Sequence, residues 1–334
     1  MTDPTRLLPE YLYLFCTLDS TIRAVNAAST GSSAVSRNRF KEEEFLNFEI
    51  PLPPVQEQRV IVARWQKAQD EIAIAQQTAE TAADAIASQF LAELGVTVAV
   101  VTRQPKAFAV WWKDVFGLSV RATFLSVTSA SLKLGKYPLV AGRDCLAEVR
   151  HGCSASPSLK ATGLEVLKIS AVTRGEFMPS EKKYAVDSER MRKEFDLREG
   201  DVLLCRTNGT LAYVGMSALV KDDMPNLIYP DKVIRVRAQD NILPEYLWQV
   251  LQSYPLRVQI EAVARTAVGN YAIGSEDIWN LQIPLPPLPV QKQIMERVEA
   301  GREAIAREKA KAERLSREIN AEIEALILGT KRVG

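Results

Sequence analysis

Histidine is almost absent from this chain of 334 residues, which contains one, His151, and only four cysteines. The cysteines are Cys16, Cys145, Cys153 and Cys205, and no two of them have the spacing of zinc ligands. The sequence therefore excludes a conventional zinc site and predicts reduced thiols, some of them in the core. His151 lies two residues before Cys153, but such a pair on a loop has no fixed geometry and no third orienting group. We reject a Cys-His nucleophile.

An excess of charge of either sign is also missing, because 42 basic and 41 acidic residues leave a net charge of +1. Overall charge therefore identifies no partner. No stretch approaches the roughly 18 to 20 uncharged apolar residues of a membrane helix, and residues 1–9 lack the pattern of a signal peptide. These absences predict a cytoplasmic protein without a membrane partner. The length predicts two or three structural units, since it exceeds what one core needs.

Two parts of the chain are near-copies of each other. The sequence LPEYL begins at Leu8 and again at Leu243, which lies 235 positions later. The sequence NFEIPLPP begins at Asn47, and NLQIPLPP begins at Asn280, 233 positions later. A glutamine-rich segment follows each proline run, with Gln56 and Gln58 in the first copy and Gln291 and Gln293 in the second. Such a match indicates an internal repeat, the feature to seek first because it decides the architecture.

The stretches after the prolines are predicted to be two long helices. Each has about 38 residues of strong helix formers and ends at Gly95 or Gly329, with Gly301 as the internal breaker. Because a narrow apolar seam needs a partner, we expect the helices to form an intramolecular antiparallel coiled coil rather than two independent surface helices. The predicted helix-helix spacer residues recur at spacings of four and three: Ile61, Trp65, Ala68, Ile72, Ala79, Ile86, Ile294, Val298, Ile305, Ala312, Leu315 and Ile319.

The part between the copies has no counterpart in the first copy. Short apolar runs at residues 165–169, 201–205, 213–216 and 232–236 are bounded by Gly, Asn, Asp and Pro and predict strands. Residues 244–257 have the apolar spacing of a helix. We therefore predict an α+β fold with a mixed, β-rich core.

The repeat sets the predicted domain boundaries. The second unit, from just after Gly95 to Gly329, has 234 residues, whereas the first copy has 95. The first copy is thus expected to lack the β-rich head. The predicted segments are a remnant of a first globular domain (1–54), the first long helix (55–95), a bridging segment (96–136), a complete domain (137–287) and the second long helix (288–329).

Three features carry a family resemblance: the two proline-to-helix junctions, the segment GDVLLCRTNGT at residues 200–210 and the segment GNYAI at residues 269–273. They resemble the DNA specificity (S) subunit of type I restriction-modification systems. In that family two target recognition domains each read half of a bipartite DNA site, and the helices act as a ruler. The resemblance implies that residues 137–287 are a complete target recognition domain and that residues 1–54 belong to a truncated one.

The resemblance also implies the partners of the chain. These are double-stranded DNA, methyltransferase (M) subunits docked on the helices, and the restriction (R) subunit. S-adenosylmethionine, ATP and Mg are expected in those partner subunits, with no cofactor or metal bound by this chain. Because one recognition domain is incomplete, a second copy or a separate chain would supply the missing one.

Candidate DNA-binding residues are the basic and polar side chains on loops, since Lys and Arg contact phosphates and Arg, Asn, Ser and Thr read base edges. Residues 138–282 contain 18 basic and 19 acidic residues, so any basic face must be local. The candidates are Arg150, Ser154, Ser156, Ser158, Lys160, Lys168, Arg174, Arg206, Thr207, Asn208, Arg265, Thr266, Asn270 and Tyr271. Residues 206–209 also fit a plain hairpin turn, and residues 154–158 a solvated connection.

The favoured hypothesis is a non-catalytic DNA-recognition subunit acting in phage defence and DNA methylation, and two alternatives stay open. One is a DNA-modifying enzyme with a fused recognition domain. Against it, the sequence has no Asn/Asp-Pro-Pro-aromatic motif, no Gly-x-Gly turn after a strand and no phosphate-binding loop, so no catalytic residue is predicted. The other is a degenerate scaffold that binds M subunits without reading specific DNA.

Overall fold

The computed structural model describes residues 5–29, 41–47, 49–96, 135–267 and 269–333. The chain divides into two compact units: unit 1 comprises Met1–Ala85 and Ala300–Gly334, and unit 2 comprises Ile86–Glu299. Most of the predicted bridging segment 96–136 lies outside the described residues. Within the described ranges, no helix combines the length and the apolar character needed to cross a membrane.

The elements alternate between helical and β-rich stretches. The described α-helices are α1 (Pro9–Thr17), α2 (Asp19–Ala28), α3 (Glu42–Leu46), α4 (Val55–Glu93), α5 (Glu189–Glu194), α6 (Pro244–Gln252), α7 (Tyr254–Val263), α8 (Ser275–Trp279) and α9 (Leu288–Ile327). The described strands are β1 (Leu139–Ala141), β2 (Leu146–His151), β3 (Glu165–Leu167), β4 (Lys182–Tyr184), β5 (Val202–Cys205), β6 (Thr207–Asn208), β7 (Ser217–Leu219), β8 (Leu227–Ile228), β9 (Val233–Ala238), β10 (Arg265–Ala267), β11 (Asn270–Ala272) and β12 (Gln282–Pro284).

The long helices α4 and α9 pack together, as the seam predicted. In unit 1, Ile61 near the start of α4 belongs to one apolar cluster with Ile323 near the end of α9. In unit 2, Phe90 near the end of α4 belongs to one cluster with Ile294 near the start of α9. The start of each helix therefore packs with the end of the other, which confirms the antiparallel arrangement.

The predicted seam residues lie on the covered sides of these helices. Seven are buried, namely Ile61, Ile72, Ala79, Ile294, Val298, Ala312 and Ile319, and five are half-buried, namely Trp65, Ala68, Ile86, Ile305 and Leu315. Gly301, the one helix-breaking residue type within the predicted second helix, lies inside α9 without ending it. Small residues at seam positions let the two backbones approach closely, which suits helices of this length.

Unit 2 is built on sheets of both kinds. The largest has the order β2-β9-β5-β7 and is antiparallel, whereas the sheet β4-β3-β8 is mixed because β3 and β8 run parallel. Val202 and Leu204 on one face of β5 pack in the same cluster as α6, and Leu203 on the other face packs in a second cluster. The central sheet is thus covered on both faces, and the mixed β-rich core of an α+β fold is confirmed.

Two local predictions were wrong. The strand at residues 213–216 is replaced by a short turn, and β7 begins at Ser217, because Gly215 adopts a left-handed conformation (φ +74°) that breaks extended pairing. The single helix at residues 244–257 is two helices, α6 and α7, with an extended Ser253 between them. Pro255 explains this break, since its ring would clash with the carbonyl of Leu251 in a continuous helix.

The sequence repeat is also a structural repeat. In the first copy, the hydroxyl of Tyr11 donates to the carbonyl of Pro51 (2.9 Å), and in the second copy Tyr246 donates to the carbonyl of Pro284 (2.8 Å). Both tyrosines are fully buried. The helices that contain and follow each tyrosine correspond in order, so that α1, α2 and α3 match α6, α7 and α8.

A buried glutamine completes each copy. The side chain of Gln58 accepts a hydrogen bond from the amide of Leu8 (2.9 Å) and donates to the carbonyls of Arg6 and Pro53 (both 2.8 Å). The same three bonds recur at Gln291, which accepts from Leu243 (2.8 Å) and donates to the carbonyls of Asn241 (3.0 Å) and Pro286 (2.8 Å). We call Tyr11 with Gln58 the first latch and Tyr246 with Gln291 the second latch.

Candidate nucleic-acid interface

The small sheet β10-β11-β6 gathers half of the predicted DNA-binding residues. Thr266 lies opposite Tyr271, and Tyr271 lies opposite Asn208 on its other side. The amide of Ile273 donates to the carbonyl of Arg206 (3.0 Å), which extends the pairing by one residue. The predicted residues on or beside this sheet are Arg206, Thr207, Asn208, Arg265, Thr266, Asn270 and Tyr271.

Several of these side chains are available to a ligand. Arg265, Thr266 and Asn270 are exposed, and Arg265 lies 3.4 Å from Asp277 with four fifths of its side chain in solvent. Gly269, which turns the chain between β10 and β11, has a φ of +78°, and a side-chain carbon added there would meet no atom of the described chain within 4 Å. The hairpin therefore presents hydrogen-bonding groups in open space, as a groove reader requires.

The segment 206–209, for which a plain hairpin turn was the alternative, contains a two-residue strand. Thr207 and Asn208 are β6, and the side-chain oxygen of Asn208 accepts from the amide of Thr210 (3.0 Å), which fixes the turn after the strand. The Asn208 carbonyl oxygen is therefore occupied within the chain.

Arg206 joins the small sheet to the segment 230–232. Its amide donates to the carbonyl of Lys232 (2.8 Å), and its guanidinium donates to the carbonyl of Asp231 (3.1 Å). One further guanidinium nitrogen, Nε, is buried without a hydrogen-bond partner among the described residues. Arg206 thus connects the small sheet to the segment 230–232 through two hydrogen bonds.

A cleft of about 390 Å³ lies beside this segment. Val166, Ile169 and Pro230 contribute apolar surface, while the predicted residues Ser154 and Lys168 lie at its polar side. The amide of Asp231, also in the cleft wall, donates to the carbonyl of Cys153 (3.0 Å). The cleft is therefore continuous with the segment that Arg206 contacts.

Two further lysines of this cleft were missed by sequence reasoning. Lys183 and Lys232 are exposed in the cleft wall, and within the described parts of the chain neither has an ion-pair partner. Lys168 lies 3.6 Å from Glu181. The adjacent lysines 182 and 183 were visible in the sequence, but the pairing of Val166 with Lys183 places the second one in the cleft.

The other predicted residues are not joined to the small sheet by any described contact. Arg150 is ion-paired with Glu148 (2.6 Å) and Glu194 (3.3 Å), so its charge is largely neutralised. Arg174 is exposed and lies 3.7 Å from the sulfur of Met178. The remaining residues, Ser156, Ser158 and Lys160, lie on one loop, where the Ser158 hydroxyl donates to the carbonyl of Lys160 (2.8 Å).

A partly buried ion-pair network joins β2, β9 and the segment that leads into β5. Arg235, only 1% exposed, contacts Glu148 (2.7 Å) and Asp196 (3.4 Å), and Arg237 contacts Asp201 (2.7 Å). Burial alone would raise the pKa of Glu148 and of Asp196, but the arginines outweigh burial and hold both pKa values below their ordinary range. These arginine charges are already paired with acidic side chains of the chain. The number of arginines in this domain therefore exceeds the number available to DNA.

The titratable groups near Arg206 favour binding over proton transfer. Burial and the positive charge of Arg206 both lower the pKa of His151, so this imidazole is neutral near pH 7. Burial raises the pKa of the Cys205 thiol to about 11, which keeps it protonated. Over the residues that the structure describes, no cluster of three or more His, Cys, Asp or Glu residues could hold a metal ion.

Comparison with known proteins identifies relatives of this chain. A family model described as the type I restriction modification DNA specificity domain matches residues 3–82 and 147–317. The chain is 27% identical over 276 residues to the EcoKI specificity subunit of Escherichia coli K12, a match that covers 82% of this chain and 55% of that protein. It is 30% identical over 149 residues to the EcoEI specificity subunit of Escherichia coli, covering 44% of this chain and 25% of that protein.

One solved structure supports the fold. A chain from a structure concerned with complex assembly and conformational transition of the type I R-M system has a TM-score of 0.53 and 17% identity, covering 97% of this chain and 72% of that chain. The HsdS subunit from Thermoanaerobacter tengcongensis has a TM-score of 0.44 and 18% identity, covering 96% and 70%. The chain spans about half the length of the curated EcoKI relative.

Proposed function

The chain belongs to the family of type I restriction-modification DNA specificity domains, and from this premise we propose that it is a non-catalytic subunit that reads one half of a bipartite DNA site. The reading surface is the domain at residues 137–287. The observation that supports this most directly is the convergence of exposed Arg265, Thr266 and Asn270 on one small sheet. Their side chains offer the donors and acceptors that distinguish base edges.

The small sheet and the cleft contact different parts of the DNA. Arg265 and Asn270 suit base edges, because arginine can bridge two acceptors of guanine and asparagine can bridge adenine. Lys168, Lys183 and Lys232 suit phosphates, since flexible ammonium groups bind phosphate as point charges. Arg206, with its guanidinium bonded to Asp231, sets the spacing between the two groups.

The partners follow from the same premise. M subunits dock on the helices α4 and α9, and the R subunit joins that assembly in the cytoplasm. S-adenosylmethionine, ATP and Mg act in those partners, and catalysis belongs to them. A second recognition domain, from a second copy or a separate chain, reads the other half-site. The similarity of fold to a chain from a type I assembly structure supports this proposal.

The test is methylation by a complex reconstituted with an M subunit, read across a panel of sites. Arg265→Ala is expected to relax specificity at one base pair by about 1–3 kcal/mol, the usual contribution of one bidentate contact. Lys232→Ala is expected to weaken methylation of all sites alike, because phosphate contacts carry no sequence information. Arg190→Ala is the matched control, since Arg190 is 86% exposed and lies on α5, outside the cleft and the small sheet.

If both test variants keep the original site preference and methylation rate, this surface has only a structural role. Two outcomes would favour the alternatives instead. Saturable binding of S-adenosylmethionine by the isolated chain would indicate a DNA-modifying enzyme. Normal M-subunit binding without site-selective methylation would indicate a scaffold.

A further inference from the structure

Leu159 is an apolar side chain that lies entirely in solvent. It is fully exposed, whereas Leu46, the next most exposed large apolar side chain in the described ranges, is 73% exposed. A single exposed leucine is ordinary on a protein surface, so exposure alone gives it no role. What distinguishes Leu159 is the backbone that holds it and the charge that lies beside it.

The chain just before Leu159 is paired with the segment that follows β4. The amide of Ser158 donates to the carbonyl of Tyr184 (2.9 Å), and the amide of Val186 donates to the carbonyl of Ser156 (2.9 Å). These two bonds flank a single antiparallel bridge, which is the pattern of neighbouring strands. The start of the turn is therefore fixed to the sheet that contains β4.

A serine closes the turn around Leu159. The Ser158 hydroxyl accepts a hydrogen bond from the amide of Lys160 (3.1 Å) and donates to the carbonyl of the same residue (2.8 Å). These bonds link the residues on either side of Leu159 and involve no atom of its side chain. Because a fully exposed side chain has no buried apolar contact to lose, the turn does not need a leucine for its stability.

The turn begins at the lysine-lined cleft. Ser154 lies in the cleft wall, and Lys160 is exposed immediately after Leu159. Leu159 follows Ser154 by five positions, so the two residues are at most about 18 Å apart, the length of an extended chain. The major groove of B-DNA is about 12 Å wide. With the cleft lysines on phosphates, Leu159 is therefore within reach of the base edges.

The charge of the cleft favours a polyanion beside this turn. Among the described residues that line the cleft, three are lysines and one, Asp231, is acidic. A local excess of positive charge attracts the phosphate backbone of DNA more strongly than a neutral protein surface. DNA is therefore the partner that the surroundings of Leu159 fit.

We propose that Leu159 contacts the C5-methyl group of a thymine in the major groove and makes the half-site depend on that base. The thymine methyl is the apolar group that base pairs present in this groove, and an apolar side chain is its usual partner. Because leucine has no donor for a phosphate, its contribution is to specificity. This inference rests on the proposed function, since it requires the domain at residues 137–287 to read DNA.

The test compares methylation of the recognised site with methylation of sites that carry deoxyuridine in place of one thymine. The full chain is used in complex with an M subunit, and deoxyuridine lacks only the C5-methyl group. We expect one such replacement to slow methylation about fourfold, the factor that corresponds to ~0.8 kcal/mol for one buried methyl-sized group. Leu159→Ala should abolish this difference, so that the thymine and deoxyuridine sites are methylated at the same rate.

Two further variants control for the substitution itself. Leu159→Met keeps an apolar side chain of similar volume and should retain the sensitivity to deoxyuridine. Leu46→Ala removes another exposed leucine, outside residues 137–287, and should leave the methylation rate and the sensitivity unchanged. Thermal unfolding of Leu159→Ala should match that of the original chain, because surface substitutions of this kind change stability little.

The contact is overturned if Leu159→Ala keeps the deoxyuridine difference, or if no thymine replacement affects the original chain. In both cases site-selective methylation remains, so the proposed function stands. Slower methylation of all sites alike, with weaker M-subunit binding by Leu159→Ala, would assign the side chain to a protein contact instead. If the complex with the original chain shows no site-selective methylation, the proposed function itself fails, and this inference fails with it.

Discussion

At the scale of single residues, one glutamine amide organises each copy of the repeat. The Gln58 side chain is fully buried, and its three partners are main-chain groups of Arg6 and Leu8, before the proline run, and of Pro53, within it. A primary amide suits this position because it accepts and donates at once. The glutamine-rich segment after each proline run pointed to this region, but which glutamine turns inward depends on the helix start and the preceding loop.

Replacing Gln58 should destabilise unit 1. Gln58→Ala leaves an amide and two carbonyls without partners, and we expect the free energy of unfolding to fall by about 2–4 kcal/mol. Hydrogen exchange of the α1 amides measures it. Gln56→Ala is the control, since Gln56 is exposed two residues earlier, and a change within about 0.5 kcal/mol is expected there. Equal effects of the two variants would show that the latch adds no stability.

At the scale of elements, the sequence predicted what depends on local periodicity. The heptad pattern and the glycines at the helix ends were sufficient for α4 and α9, and short apolar runs were sufficient for β3, β5 and β9. The ion-pair network was not predictable, because Glu148 and Arg235 are 87 residues apart and meet only through the pairing of β2 with β9. The same reason hid Lys183, which enters the cleft through the pairing of β3 with β4.

The network predicts a loss of stability in acid. The pKa values of Glu148 and Asp196 are lowered in the folded chain, so their stabilising contribution is present above the ordinary values of 4.5 and 3.8. It is lost as the pH falls through the lower folded values. Thermal unfolding followed from pH 6.5 down to pH 3 should show unit 2 melting earlier below about pH 4.5.

A variant assigns this acid sensitivity. Glu148→Gln should lower stability at neutral pH, because buried Arg235 loses one of its two charged partners, and should flatten the pH dependence. Glu199→Gln, an exposed acid outside the network, should leave the pH profile unchanged. A pH profile that Glu148→Gln does not alter would place the acid sensitivity elsewhere.

At the scale of the whole molecule, charge balance limits what the chain does alone. The net charge is +1, and Arg235 and Arg237 of unit 2 are paired with the acidic side chains of Glu148 and Asp201. Composition anticipated this balance, and it required any basic face to be local. The cleft lysines fit that requirement, but the residues that form the face depend on strand pairing and not on composition.

The purified chain should bind DNA weakly and without sequence preference. If the three cleft lysines contact phosphates, the slope of log K against log salt is about −3 for duplex DNA. Fluorescence anisotropy between about 50 and 200 mM salt measures this slope, and addition of an M subunit should bring site selectivity. Tight, site-selective binding by the chain alone above physiological salt is the result that contradicts the prediction.

The hydrogen bonds of Gln58 and Gln291 have a consequence for how such proteins diversify. Their partners are main-chain atoms, which every residue type supplies. Loops and strands that face a ligand can therefore change in sequence while the joint beneath them is kept. Recombination at the proline runs would exchange one recognition domain for another without changes to the long helix that follows it.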